Sequence, residues 1–240
     1  MKSLSVVALC MMLAVALWMG FGSRNSLAQE GSGSGLSAGK YPPDIRPDSL
    51  SRMPRPKRDD FTSDEDKQSF DRVLAFEAIL REPSGALGPT GTRAWIPQLA
   101  EEYRKLGRMV HEKGTMEPKY VELAALVAIR EDNNPAEWGG HAINGTKLLG
   151  AKVVEVIQKE GDTSGLEDKK AAVMIQFGRE LFHKPKVSSK TFAEMEQSFG
   201  RRNTLDVTLL MGYYDQNAVL YRAYDQQRAP NAAEGNYPPW

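Results

Sequence analysis

From Phe61 onward the apolar residues return with helical spacing almost without interruption. Thr62-Ser63-Asp64-Glu65 combines a capping hydroxyl with first-turn acids, and Phe70, Val73, Leu74 and Ile79 follow it, which predicts a first helix. The stretch GALGPTGTRAW, from Gly85 to Trp95, carries three glycines and Pro89 and predicts a loop. A second helix is expected from about Pro97 to His111, with Leu99, Tyr103, Leu106 and Val110 on its apolar stripe. Thr115 and Pro118 open a third, strongly apolar from Val121 to Ile129. Asn134-Pro135 places a cap residue before a proline and starts a fourth, which runs to about Leu149 and stops at Gly150. Shorter helices are expected at 152–159, 166–182 and 188–199, and a last one at about 203–226 carries Val207, Leu210, Met211, Tyr214, Ala218 and Tyr221. No segment alternates as a strand does, and no glycine pattern for a nucleotide is present, so the expected fold class is all-α.

The ends of the chain follow other rules. Lys2, the apolar run from Leu4 to Phe21 and the small residues of Ser26-Leu27-Ala28 form a secretory signal pattern, with cleavage expected after Ala28. The length of the run leaves an uncleaved membrane anchor as the rival reading. Gly31 to Gly39 is a Gly/Ser linker, and residues 40–60 are rich in proline and charge. The expected organisation is therefore a signal peptide over 1–28, an extended mobile linker over 29–60, a helical domain over 61–228 and a flexible tail over 229–240. After cleavage no stable membrane insertion is expected, which places the protein in the periplasm or outside the cell.

Removing residues 1–28 takes Lys2 and Arg24 from a chain with 31 basic and 31 acidic side chains, leaving 29 against 31, a formal charge of −2. A nearly neutral surface offers no electrostatic footprint for nucleic acid. The same cut removes Cys10, the single cysteine. The processed chain would then hold no disulfide, no thiolate metal site and no cysteine nucleophile.

The candidate chemistry lies between Tyr120 and Gly150. Glu122 falls on the face of an apolar helix shared by Leu126 and Ile129, where a carboxylate needs a partner or loses its charge. Glu137 and His141 are four residues apart on the next helix and share a face. The join from Glu131 to Asn133 is short, so the two helices should pack antiparallel and let Glu122 meet His141, with Trp138 beside them. Two carboxylates and an imidazole can relay protons to a small molecule. The same residues also read as a satisfied core ion pair that fixes the hairpin. A metal site from Glu122, Glu137 and His141 is a third reading that lacks a second histidine, since His111 and His183 lie near helix ends and are expected to face solvent. Arg93 could clamp a carboxylate bidentately, and Tyr213 and Asn217 could line the pocket from the last helix.

These residues resemble the alkylhydroperoxidase D and carboxymuconolactone decarboxylase family. Its redox members place a cysteine twelve residues after a glutamate, a histidine and a second cysteine two and three residues later, and a final histidine four beyond. Counted from Glu122, those positions hold Asn134, Ala136, Glu137 and His141: the glutamate and the last histidine are kept and both thiols are gone. Glu137-Trp138-Gly139-Gly140-His141 resembles the Glu-Trp-x-x-His of thiol-free members. Gly88-Pro89-Thr90-Gly91, the segment holding Phe177, Arg179, Glu180, Leu181 and Phe192, and Thr208 to Tyr214 are similar to further family stretches, so the resemblance covers about residues 65–228.

The resemblance implies an all-α bundle that assembles into trimers or hexamers, with the glutamate–histidine pocket near subunit contacts. Peroxidase or disulfide reductase chemistry needs an attacking and a resolving thiol and is not expected here. The decarboxylase branch acts on a carboxylated lactone with general acid–base groups and no cofactor, which suits Glu122, Glu137 and His141. The expectation is a cofactor-independent lyase or isomerase acting on a small organic acid or lactone, with a non-catalytic binding or scaffold role as the alternative.

Overall fold

The computed structural model of the chain describes residues 41–81, 86–112 and 114–228. The expected signal segment 1–28, the first part of the expected linker and the tail 229–240 lie outside the described residues. The architecture is all-α: one isolated bridge, Arg46 to Ser51, is the sole β-type pairing among the described residues.

The helices begin where local chemistry starts them. α1 (Asp64–Phe76) is capped by Ser63, whose hydroxyl accepts from the Asp66 amide at 3.0 Å. α2 (Ala78–Arg81) and α3 (Gly88–Arg93) are short. α4 (Pro97–Glu112), α5 (Pro118–Glu131) and α6 (Pro135–Leu149) each open on a proline, whose missing amide hydrogen costs nothing in a first turn. α7 (Ala151–Gln158) leads to α8 (Lys169–His183), capped by Asp168. α9 (Ser189–Tyr224) starts on Ser188 and is kinked at Gly200, whose φ of 77° and ψ of 160° fall in a region only glycine occupies cheaply. The two helices expected at 188–199 and 203–226 are thus the two arms of α9.

α5 is the axle of the fold. Every residue from Leu123 to Ile129 is buried, and α6, α7, α8 and α9 all pack on it. Alanines at 124, 125 and 128 keep its girth small enough for neighbours on every side, and Gly178 of α8 meets it so closely that a methyl there would lie 2.3 Å from Val127 Cγ1. A second apolar cluster joins Phe61, Phe70, Val73, Leu80, Leu87, Ala94 and Ala100 from α1 to α4.

Three expectations are corrected. Gly88–Arg93 is helical where a loop was expected, because its glycines lie in the first and middle turns of a six-residue helix packed on α4 and α9. The buried stripe of α4 is Pro97, Ala100, Tyr103 and Gly107, whereas Leu99 and Leu106 are exposed. Residues 41–60 are not an extended linker. Leu50, Ser49 and Ser51 are buried, the Arg52 amide donates to Tyr224 O at 2.9 Å, and the Gln227 amide donates to Leu50 O at 2.7 Å. Hydrogen bonds to the end of α9 hold this segment, and such bonds leave no apolar periodicity to read.

Candidate active site

The hairpin of α5 and α6 places Glu122 and His141 across from each other. His141 Nδ1 lies 2.8 Å from Glu122 Oε1, with both side chains largely covered. The other ring nitrogen, Nε2, lies 3.2 Å from the hydroxyl of Tyr214 on α9. That hydroxyl is in turn 2.9 Å from Nε2 of His111, whose Nδ1 lies 2.7 Å from the Gly107 carbonyl oxygen on α4. Four side chains from four helices therefore form one continuous hydrogen-bonded line. Burial pushes the Tyr214 phenol well above its ordinary pKa, so it keeps its proton at any working pH.

Glu137 belongs to a second line. Its carboxylate accepts from Asn134 Nδ2 at 2.9 Å and from Asn217 Nδ2 at 3.0 Å. The Asn217 amide oxygen accepts from Arg93 at 2.5 Å, and the Arg93 guanidinium lies 3.6 Å above the ring centre of Tyr103. Tyr103 stacks on Tyr213 at 4.6 Å with an 18° angle between rings. Burial pushes the Glu137 carboxyl up to about 7, against the opposing pull of His141, the Asn217 amide and Arg93. Burial also lowers the pKa of Arg93.

A cavity near these groups has a volume of about 520 Å³, within the range of small-molecule sites. It lies where α1, α3, α4 and α9 meet, and Arg93, Tyr103, His111 and Tyr213 line it together with Arg104 and Arg108. Glu77 and Glu112 are the carboxylates on its wall, so three guanidinium groups face two carboxylates.

The structure thus brings the expected residues together in part. Arg93 and Tyr213 line the cavity; Asn217 is buried behind Arg93 and bridges it to Glu137; Glu122, Glu137 and His141 stand one layer back and do not form the cavity wall. Trp138 is corrected. It is 1% exposed, packs in the main core and borders a different groove between α6 and α7, because residue 138 lies at the edge of the face that carries 137 and 141, turned toward the core. Asn134 holds the N-cap position of α6 but makes no side-chain capping bond; its amide nitrogen donates to Glu137 instead.

His111 was expected in solvent and is instead a cavity residue bonded to Tyr214. The signal was present in the spacing, since Tyr103, Gly107 and His111 succeed one another every four residues on the buried face of α4. His183 is half exposed but lies 2.9 Å from the buried Glu131, in a cluster with Arg179 distant from this site by sequence and helix face. Among the described residues no cluster of three or more His, Cys, Asp or Glu side chains could hold a metal ion.

An all-helical protein with a buried glutamate–histidine hairpin behind an arginine-lined cavity is the class these observations define. Comparison of the sequence with protein-family models and with curated proteins finds no match. Among solved structures, the fold is similar to that of an uncharacterized peroxidase-related protein from Silicibacter sp. TM1040, with a TM-score of 0.56 at 12% sequence identity, over 80% of this chain and 98% of that one. At that identity the likeness is one of fold.

Proposed function

We propose that the protein binds a small organic acid in the cavity of α1, α3, α4 and α9 and acts on it by cofactor-independent acid–base chemistry, as a thiol-free member of the carboxymuconolactone decarboxylase-like family. The observation that carries the reading is Arg93. It is 8% exposed, lines the cavity and bonds to an amide rather than a carboxylate. A buried guanidinium without a directly bonded anion is costly, and a ligand carboxylate would supply the missing charge. Behind it stands Glu137, titrating near neutrality, and beside that the Glu122–His141 pair. A carboxyl poised near 7 suits general acid–base work of lyase or isomerase type.

The fold likeness and the kept glutamate and histidine positions support the family reading. With Cys10 the single cysteine, no pair of thiols exists within one chain for a peroxidase cycle. Titration calorimetry with benzoate and a small dicarboxylate such as succinate tests the binding. Arg93→Gln should weaken it at least about tenfold and Arg93→Lys less, since one bidentate charged contact is worth about 1.5–3 kcal/mol. Equal affinity in all three proteins would end the reading.

A second reading, a binding protein that performs no chemistry, is favoured by the position of Glu122, Glu137 and His141 one layer behind the cavity wall. Export rests on Lys2, the apolar run to Phe21 and the Ala28 site. Cell fractionation that found residues 1–28 intact on a cytoplasmic product would exclude it. Among the described residues no helix is long and apolar enough to cross a membrane.

A further inference from the structure

The hydrogen-bonded line from Gly107 through His111, Tyr214 and His141 to Glu122 can be counted in protons. The Gly107 carbonyl oxygen only accepts, so His111 Nδ1 must carry a hydrogen and donate to it. A Glu122 carboxylate only accepts, so His141 Nδ1 must likewise donate. If both rings are neutral, each then turns a bare Nε2 lone pair toward Tyr214, at 2.9 Å and 3.2 Å, and the phenol has one hydrogen for the two of them. Three protons serve four hydrogen bonds, and one lone pair faces the phenol oxygen with nothing between.

One added proton completes the line. With Glu122 ionised, that proton makes an imidazolium of His141 or of His111. The two forms interconvert when the Nε2 hydrogen of one ring passes to the Tyr214 oxygen while the phenol hydrogen passes to the other ring. No heavy atom moves. In the first form the positive charge sits against Glu122; in the second it sits on the cavity wall.

The surroundings decide which form prevails. Around His111 stand Arg104, Arg108 and Glu112 of its own helix, Arg93 of α3, Glu77 of α1, and Tyr213 and Tyr214 of α9. Around His141 stand Glu122 of α5, Glu137 of its own helix and Tyr214. Three guanidinium groups against two carboxylates leave the empty cavity wall net positive, and an anion bound there offsets that charge.

We propose that a small carboxylate anion enters this cavity together with one proton from solvent, and that the Glu122–His141–Tyr214–His111 line stores the proton and presents its charge at His111. The inference rests on the reading of the cavity as an anion site. It gives the buried Glu122–His141 pair a means of acting on a ligand it does not touch. Tyr214 and Glu122 are positioning residues in this scheme, and His111 is the group that faces the ligand.

The test is calorimetric titration of the full chain with benzoate, from about pH 6 to about pH 9, in buffers of unlike ionisation enthalpy. Proton uptake should approach one per benzoate on the alkaline side, with Kd rising about tenfold per pH unit there. Glu122→Gln, which removes the charge that stabilises the stored proton, should move this limb to lower pH. In the Tyr214→Phe background the same substitution should move nothing, because the line is cut. Nitrogen-15 NMR of the three histidine rings gives a readout independent of the variants' folding: benzoate should drive His111 to the doubly protonated pattern. Arg93-dependent binding without proton uptake, a Glu122→Gln shift of equal size in both backgrounds, or a neutral His111 in the complex would each overturn the inference while leaving the cavity reading in place. Absence of benzoate binding would overturn both.

Discussion

Asn217 stands between Arg93 and Glu137, accepting from the guanidinium through its amide oxygen and donating to the carboxylate at 3.0 Å through its amide nitrogen. A cation and an acid that would otherwise pair directly are held apart by one neutral amide. The guanidinium keeps donors free to face the cavity, and the carboxyl, pushed up to about 7 by burial and spared a direct salt bridge, stays half-protonated near neutrality.

The raised Glu137 value has a direct consequence for stability. The folded state holds this proton up to about pH 7, whereas an unfolded glutamate releases it near about pH 4.3. Between those values the folded chain binds more protons than the unfolded one, so stability should fall as pH rises through the window and level off above it. Glu137→Gln removes the titration. Urea unfolding of both proteins at several pH values should show the difference between them changing across that window; a constant difference would mean that Glu137 is ionised throughout.

His141→Ala separates chemistry from architecture. Removing the imidazole leaves the Glu122 carboxylate largely buried without a partner, at a cost of about 1–3 kcal/mol. If the pair takes part in acid–base chemistry, the rate on a true substrate should also drop by about 10²–10⁴-fold in the folded fraction. Melting temperature and specific activity measured on one sample decide it. A stability loss with intact specific activity would reduce the pair to a brace for the hairpin.

Gly178 tests how tightly the axle helix is gripped. Alanine there gains about 1 kcal/mol of helix propensity, but its methyl would sit 2.3 Å from Val127 Cγ1 and 3.2 Å from Met211 Cε. Val127 is β-branched and fully buried on α5 and cannot swing aside, so overpacking of about 1–3 kcal/mol should win. Gly178→Ala should unfold at lower denaturant, and Val127→Ala in the same chain should recover part of the loss. An unchanged midpoint would show that the α5–α8 contact yields to an added methyl.

Assembly is the fourth expectation. Leu205, Leu209 and Val219 repeat on one outward face of α9, with Leu209 52% exposed, and Leu99, Leu106 and Met109 do the same on α4. A second copy of the chain is the proposed cover, in a trimer or hexamer. Light scattering at micromolar concentration should report a multiple of the single-chain mass, 26.6 kDa for the uncleaved chain, and Leu209→Asp should lower it without unfolding the chain. A wild-type monomer would refute this.

The helical class, the starts of α1, α5 and α6 and the hairpin that joins Glu122 to His141 were all legible in the chain, because each depends on local rules. Caps, prolines and a 3.6-residue period act within a few residues of one another, and a short join leaves two helices little choice but to pack side by side. The packing of residues 41–60 was not legible, since backbone hydrogen bonds to Tyr224 and Gln227 have no side-chain signature. Nor was the burial of Trp138, which lies next to Glu137 in the chain but packs into the main core.

What the sequence determined by itself was which residues could do chemistry and which helix each sits on. What only the tertiary structure decided was who meets whom across helices far apart in the chain: Arg93 with Asn217, Asn217 with Glu137, and His111 with Tyr214. Those contacts depend on how α3, α4 and α6 settle against α9. That is set by the burial of Tyr103, Val207, Leu210 and Met211 and by the kink at Gly200. Burial then moved the Glu137 carboxyl to about 7, because desolvation is a property of the assembled interior and of no stretch of sequence.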